Sequence, residues 1–311
     1  NQTSNHFIIK KLGYFIALIW LGIGITFGQD EITYDIDAII DSSGRILKIK
    51  QEIFLKSKSI KNSDTLFLTD WSNSYSSTET PLADRLVEEY NRSFYLSKKS
   101  KLGYTSINSI FLDEHQSEWE RLEDKPDIIR IVMDSKNRLV NRLSITIEYE
   151  VILPDSKFTG YGYSASGDVL LRFWYIALSP RFNEKWVNYS HLNLDDFSIQ
   201  AADYNFRLTV PHGFKPQTNL DYDKTIDNVH YFSGHKIREL ILFYTKNKPF
   251  TSFKINEHKT ILTNIFTKKE NKEVNYTIVK RINDFVTETY YKHGENKFLV
   301  PSLIYNKNPF F

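Results

Sequence analysis

Histidine is the first residue type to test for chemistry, because an imidazole can bind a metal ion or act as a general base. No two of the eight histidines stand at the i, i+4 spacing of a helical zinc motif, and HExxH is absent. His230 and His235 lie five residues apart around Ser233-Gly234. A hairpin there would let them face each other, but an ordinary solvent-exposed turn is the favoured interpretation. We therefore expect no metal site in this chain.

Motifs for nucleophilic catalysis and phosphate binding are absent as well. The sequence contains no GxSxG, no GxxxxGK[ST] and no GxGxxG. It has no cysteine, which excludes thiol nucleophiles, Cys-based zinc sites and disulfides. Gly160, Gly162 and Gly167 lie between strand-like segments, where a flexible hairpin loop is the expected structure.

Neighbouring carboxylates could support acid–base chemistry, but a glycosidase needs two carboxyl groups across a cleft. The carboxylate pairs in this sequence are close neighbours, which is typical of solvated loops and turn caps. They are residues 113–114, 118 and 120, 123–124, and 195–196. A glycan-active enzyme with such a pair beside Trp174 or Trp186 stays open as a minor alternative.

The densest aromatic cluster is Arg172-Phe173-Trp174-Tyr175. On a strand, alternate side chains point to opposite faces, so Arg172 and Trp174 would share one face. We predict substrate binding by Arg172, Trp174 and Tyr175, beside long loops. The competing interpretation is a structural cation–π pair in which Arg172 stacks on Trp174.

The composition limits the class of protein. The 311 residues carry 40 Lys and Arg against 38 Asp and Glu, a net charge of +2 that argues against a nucleic-acid partner. Aromatic residues make up 15% of the chain, while Gly (12) and Pro (9) are scarce. This mixture favours strands over disorder.

Residues 1–29 have the pattern of a secretory signal peptide. Lys10 and Lys11 precede an apolar run, and Thr26 and Gly28 supply small residues before a cut at Gln29. The run is shorter than the roughly 20 residues that span a bilayer, so an uncleaved membrane anchor is the weaker alternative. We expect an exported protein that is periplasmic, at the cell surface or secreted, and that touches a membrane only if this segment is retained.

The segments that would position these residues are mostly strands. Residues 31–56 predict two strands joined at Asp41–Gly44, and residues 143–153 alternate apolar and polar side chains. Turn signals separate further predicted strands at 64–70, 127–133, 168–177, 196–209, 228–233, 237–245 and 258–267. The fold class is mainly β, a large antiparallel β-sandwich or saddle.

Two helices and a possible domain boundary complete the prediction. Helices are expected at 81–91 and 275–291, and a strand at 298–305. A charge cluster at 268–273 marks a linker, which gives a β-rich domain at 30–267 and a separate segment at 268–311. We expect that segment to be the first helix and strand of a truncated α/β domain, and the chain to be a piece of a longer protein.

The order of these features resembles the N-terminal region of M1 (gluzincin) aminopeptidases, in particular exported bacterial members. Four segments are similar to those of the family: the opening strand pair, Ile32 to Phe54; Leu66 to Tyr75, continuing to Pro81–Arg85; Phe158–Gly162 with Arg172–Tyr175; and Tyr204 to Gly213. The resemblance implies a cleft-forming β-domain, with residues 275–305 leading into a thermolysin-like domain.

The same resemblance implies peptide or protein substrates and a zinc ion in the full-length protein, with none bound by this segment. A metal-activated water would attack the peptide carbonyl, with a Glu as base. The family's HExxH and GxMEN motifs are absent from this chain, so catalysis by the chain alone is not expected. The alternative is a non-enzymatic exported β-sandwich for binding or scaffolding, or a degenerate M1 relative without zinc.

Overall fold

The computed structural model describes residues 31–56, 60, 63–133, 142–165, 167–183, 185–194, 199–246, 251–256, 259–263 and 302–305, with residues 277, 280, 281 and 284. The predicted signal peptide, the linker at 268–273 and the Asp195-Asp196 pair lie outside this set. Within it, no helix is long and apolar enough to cross a membrane.

The described chain is built mainly from strands, as predicted. In chain order they are β1 (Glu31–Ile40), β2 (Ile46–Lys56), β3 (Thr65–Thr69), β4 (Tyr104–Leu112), β5 (His115–Gln116), β6 (Trp119–Leu122), β7 (Lys125–Val132), β8 (Arg142–Ile152), β9 (Gly162–Tyr163), β10 (Asp168–Leu171), β11 (Ala177–Leu178), β12 (Arg181–Phe182), β13 (Lys185–Trp186), β14 (Ala202–Thr209), β15 (Phe214–Thr218), β16 (Asp221–Ile226), β17 (Val229–Ile237), β18 (Leu242–Lys246), β19 (Thr251–Asn256), β20 (Lys259–Thr263) and β21 (Ser302–Tyr305).

The largest sheet has eight strands in the order β16-β17-β14-β1-β2-β8-β4-β5. In β1, β2 and β8 the side chains alternate between buried and solvent-facing, as the period-2 pattern predicts. The predicted turn between β1 and β2 is confirmed: Asp41 Oδ1 accepts hydrogen bonds from the backbone N–H groups of Arg45 and Ile46, and Gly44 has φ +75°.

One pair in this sheet departs from the antiparallel expectation. β1 and β14 run parallel, from Thr33 opposite Asp203 to Ile39 opposite Thr209. More than 150 residues separate these two strands in the chain, so the connection is long enough for a parallel crossover, which a hairpin is not. The pairing brings the rings of Tyr34 and Tyr204 into a stack at 5.2 Å, inside the main core.

Smaller sheets supply the rest of the core. Their orders are β15-β18-β10-β9, β11-β3-β7-β6, β12-β13 and β19-β20-β21. The buried apolar residues of the first two pack with those of the large sheet in one cluster. Several antiparallel sheets around a shared core confirm the mainly β fold class.

Two strand predictions were wrong. The predicted strand 168–177 stops at Leu171, because Phe173 adopts a left-handed backbone with φ +47° that a strand cannot contain. The predicted turn at Ser233-Gly234 lies inside β17 instead. The hairpin turns at Asp227 and Asn228, which both have positive φ.

The predicted helix at 81–91 is confirmed as α1 (Pro81–Glu88). Thr80 caps it by accepting a hydrogen bond from the Ala83 N–H, and Pro81 occupies the first turn. α1 buries Leu82 and Leu86 in a second, smaller apolar cluster. A 3-10 helix at Trp71–Tyr75 precedes it, and all five of its residues are buried.

The C-terminal predictions are only partly covered by the described residues. The predicted strand at 298–305 is present as β21, which pairs parallel with β20. Of the predicted helix 275–291, Thr277, Lys280, Arg281 and Asp284 are described and helical.

Candidate functional site

The sequence-predicted binding residues lie close together, but mostly inside the core. Trp174 and Tyr175 are each 1% exposed, so neither offers a surface to a substrate in this structure. Arg172 is half-buried and donates two hydrogen bonds to the carboxylate of Glu239, at 2.6 and 3.3 Å. Its guanidinium lies over the ring of Phe173, so the expected cation–π pair exists with a different aromatic partner.

The segment that follows is fixed by buried polar contacts. Gln51, on β2, is fully buried; its side-chain amide donates to the Ile176 carbonyl, and its oxygen accepts from Tyr149 Oη at 2.6 Å. Tyr149 Oη in turn accepts from the Ile176 N–H. Phe173, Trp174 and Tyr175 are therefore part of the core, whereas Arg172 is only half-buried.

A cavity of about 510 Å³ opens between the 3-10 helix, the segment 187–194 and the start of β7. This volume lies within the roughly 300–1,000 Å³ of small-ligand sites. Its apolar wall includes Trp71, Pro180, Val187 and Leu192. We call it the main cavity.

Two aromatic rings form the floor of the main cavity. The imidazole of His191 stacks on the indole of Trp71, with centroids 4.5 Å apart and planes 19° apart. The ring of Phe173 meets the same indole edge-on at 4.8 Å. The Arg172–Tyr175 segment thus supports the cavity from below through Phe173.

His191 is held as a neutral imidazole. Its Nδ1 accepts from the Asn193 N–H at 3.4 Å, so the hydrogen-bond pattern assigns the proton to Nε2, which donates to Tyr75 Oη at 3.3 Å. Tyr75 Oη also shares a hydrogen bond with Thr159 Oγ1 at 2.6 Å. Burial, together with the positive charge of Arg172, lowers the pKa of His191 to about 3.

A buried carboxylate ties the wall of the cavity to its floor. Asp127, on β7, is 1% exposed and accepts from Ser74 Oγ, Ser190 Oγ and the His191 N–H at 2.7–2.9 Å. Burial raises the pKa of Asp127, and these hydrogen bonds oppose that rise. Asp127 therefore fixes the segment 190–191 against the 3-10 helix.

A second buried acid lies beside the first. Asp70 is 1% exposed; it accepts from Thr105 Oγ1 at 2.8 Å and pairs with Arg121 at 2.7 Å. Arg121 also donates to the Pro126 carbonyl at 2.7 Å. This ion pair fixes the residue immediately before Trp71, and so positions the floor of the cavity.

An adjacent cavity of about 400 Å³ continues along α1. Pro81, Leu192 and Leu194 line both cavities, so the two form one groove. The adjacent cavity adds the charged side chains of Asp84, Arg85 and Glu88.

The arrangement is suited to binding and lacks the parts of a hydrolytic centre. Asp127 contacts the backbone of His191 and not its ring, so the two do not orient each other as in a catalytic triad. Among the residues that the structure describes, no group of three or more His, Asp or Glu side chains could hold a metal ion. The described residues therefore do not fit a zinc site.

The two histidines singled out in the sequence are both engaged elsewhere. His230 Nδ1 hydrogen-bonds Thr225 Oγ1, and His235 pairs with Asp203. Both lie on β17, on the same strand and not across a hairpin.

Sequence reasoning did not identify the residues that build the cavity. Trp71 and Ser74 lie in a segment that resembles M1 aminopeptidases but carries no motif for chemistry. Asp127 and His191 lie more than 50 positions from it in the sequence. The signal that could have found them is a dense polar and aromatic run, Asp70 to Tyr75, directly before a capped helix.

No protein-family model matches the chain, and no curated protein matches it. Solved structures are similar in fold. Yeast LTA4 hydrolase in complex with Bestatin matches with a TM-score of 0.50 and 9% identity, over 90% of this chain and 38% of that chain. An M1 zinc metallopeptidase from Deinococcus radiodurans matches with a TM-score of 0.45 and 9% identity, over 83% of this chain and 53% of that one.

The chain thus spans about 38% of the length of the LTA4 hydrolase that it matches. At 9% identity the likeness concerns the fold alone. The order of sequence features predicted a resemblance to M1 aminopeptidases, and this resemblance is confirmed for the fold.

Proposed function

We propose that this chain is the substrate-cleft-forming part of an exported M1-like zinc metallopeptidase whose chemistry lies outside the described residues. The observation that carries the proposal is the fold likeness to LTA4 hydrolase over 90% of this chain. The groove supports it, because it offers a peptide-sized concave surface with apolar walls and a charged end. The role of this segment is to bind and orient a peptide while other residues cleave it.

Export and zinc belong to the same proposal. The basic and apolar residues of 1–29 support export. The LTA4 hydrolase match covers only 38% of that chain, so a zinc-binding region has room in the remainder of a longer protein. Zinc would be held there, since the described residues of this chain do not fit it.

Hydrolysis by the product of the intact gene tests the proposal. We expect release of p-nitroaniline from aminoacyl p-nitroanilides, loss of that activity with a chelator, its return with zinc, and inhibition by bestatin. Absence of hydrolysis over a panel of apolar, basic and acidic aminoacyl substrates would overturn the peptidase role.

A second candidate is a non-enzymatic exported β-sandwich that binds peptides. Two observations on the described residues favour it: they contain no metal-binding group, and Asp127 accepts a hydrogen bond from the backbone of His191 and not from its ring. It is distinguished from the first by binding without hydrolysis, and by a reading frame downstream of Phe311 that carries no HExxH.

A further inference from the structure

We infer that the groove binds an extended peptide with a bulky apolar side chain in the main cavity and a basic side chain in the adjacent cavity. This inference rests on the proposed function for the peptide nature of the ligand. The assignment of each side chain to its cavity comes from the groove itself.

The apolar preference follows from the walls of the main cavity. Val187, Leu192 and Leu194 offer aliphatic surface, and Tyr189 stands at the opening with 76% of its surface exposed. Leu192 and Leu194 are 36% and 43% exposed, so covering them with a ligand side chain would remove apolar surface from water.

Three of the polar residues that line the main cavity, His191, Lys125 and Thr69, are compatible with this preference. His191 stays uncharged at neutral pH, because its pKa is far below 7. Lys125 Nζ donates a hydrogen bond to the Asn188 carbonyl oxygen at 3.0 Å, at the side of the cavity. Thr69 hydrogen-bonds Ser179 at 2.9 Å. An apolar side chain would therefore enter without displacing any of these partners.

The basic preference follows from the charges of the adjacent cavity. Asp84 and Glu88 supply two carboxylates, and both residues are exposed. The third charged residue, Arg85, pairs with Glu88 at 3.4 Å and with Glu89 at 3.0 Å, so one positive charge stands against two carboxylates and the adjacent cavity keeps a net negative charge. An added Lys or Arg side chain would find acidic groups there, whereas an acidic side chain would be repelled.

The shared wall sets the spacing of the two side chains. Pro81, Leu192 and Leu194 border both cavities, so one ligand can occupy both at once. In an extended peptide, residues i and i+2 face the same side and lie about 7 Å apart. The expected pattern is therefore an apolar and a basic residue with one residue between them.

Fluorescence anisotropy with labelled, capped peptides tests the inference on the full chain. The reference probe is Gly-Phe-Gly-Arg-Gly; the second probe replaces Phe by Asp, and the third replaces Arg by Glu. We expect the first change to weaken binding by about tenfold or more, and the second by about three- to fivefold, the size of a solvent-exposed charge pair. Equal binding of all three probes would overturn the inference.

Variants locate the binding. Leu192→Asp and Tyr189→Asp, at exposed positions, should each weaken the reference probe by about tenfold. The double change Asp84→Asn and Glu88→Gln should remove the preference for Arg over Glu and leave the preference for Phe. Val87→Gln is the control: Val87 is 42% exposed on the same helix but outside both cavities, and its uncharged replacement should leave binding within about twofold.

Far-UV circular dichroism and a urea midpoint confirm that each variant is folded before its binding is compared. Unchanged binding by folded Leu192→Asp and Tyr189→Asp variants would overturn the assignment to this groove. If the intact gene product binds the peptide but does not hydrolyse it, the peptidase role is overturned and the assignment of peptide binding to the groove stands. If the groove variants leave hydrolysis unchanged, that assignment is overturned and the peptidase role stands.

Discussion

His191 and Trp71 stack face to face, with ring centroids 4.5 Å apart, although 120 positions separate them in the sequence. Trp71 belongs to the 3-10 helix before α1, and His191 to the irregular segment after β13. The stack joins two sides of the main cavity. We therefore expect the ionisation of His191 and the binding of a ligand to affect each other, and both to depend on the buried contacts of Asp70 and Asp127.

The first prediction concerns the pH dependence of stability. The pKa of folded His191 is about 3, against 6.5 for an unperturbed histidine. Between these values the unfolded chain binds a proton that the folded chain does not, so the free energy of unfolding should fall as the pH falls from 6.5. The slope from this residue is at most about 1.4 kcal/mol per pH unit.

Urea unfolding of wild type and His191→Gln between pH 7.5 and pH 4.5 measures this effect. Asp127 acts in the opposite direction, because burial raises its pKa above 3.8 and folded Asp127 then holds a proton that the unfolded chain has lost. It is common to both proteins, so the difference between their curves isolates His191. The difference should shrink towards pH 4.5; parallel curves would contradict the account.

The second prediction concerns the buried ion pair below the cavity. Arg121→Gln leaves the Asp70 carboxylate, 1% exposed, without its charge partner. Loss of one partner of a buried pair costs about 3–5 kcal/mol. Arg130→Gln is the matched control, because Arg130 pairs with Glu120 at 2.9 Å in an exposed position and should cost less than about 1 kcal/mol. Similar urea midpoints for the two variants would count against the buried pair.

The third prediction concerns Gln51, which links the large sheet to the segment at Ile176. Gln51→Leu keeps much of the side-chain volume but leaves the Ile176 carbonyl and Tyr149 Oη without this partner. Each unsatisfied buried group costs about 1–3 kcal/mol, so the variant should lose about 3 kcal/mol of unfolding free energy. Lys50→Gln, at an exposed neighbouring position, should change stability by less than about 0.5 kcal/mol. Chemical denaturation decides between these values, and a neutral Gln51→Leu would contradict the buried contact.

The fourth prediction concerns Asp127 and the segment that it holds. Asp127→Ala removes the acceptor of the Ser190 hydroxyl and the His191 N–H. The segment should then open more often, and Tyr189 should be cleaved faster by chymotrypsin. Ser190→Ala, which removes one of these hydrogen bonds, should give an intermediate rate. Mass spectrometry of the fragments gives the rates, and equal cleavage in all three proteins would show that Asp127 does not hold the segment.

Much of the large sheet could be predicted from the sequence because β1, β2 and β8 alternate strictly between buried and solvent-facing side chains. The burial of β8 alternates along its whole length, and the ends of β1 and β2 are marked by the Asp41–Gly44 turn. The helix α1 carries its own signals, with Thr80 as the cap and Pro81 in the first turn. Local rules decide these elements, so the sequence alone was sufficient.

The candidate site could not be predicted because long-range contacts decide it. The run after Leu171 is as apolar as a strand, but the strand ends before Phe173, which has a positive φ, and both Trp174 and Tyr175 are buried. No local pattern announces that backbone conformation in a non-glycine residue. Likewise, the hydrogen bond from the His191 N–H to Asp127 joins residues 64 positions apart.

The zinc content of the intact gene product, compared with that of this 311-residue chain, decides whether the chain serves a metallopeptidase. We expect about one tightly bound zinc ion per molecule of the intact product, by elemental analysis after dialysis, and none on this chain. An intact product without zinc would contradict the claim that this chain is the cleft-forming part of a metallopeptidase. Stoichiometric zinc on this chain alone would contradict the claim that the chemistry lies elsewhere.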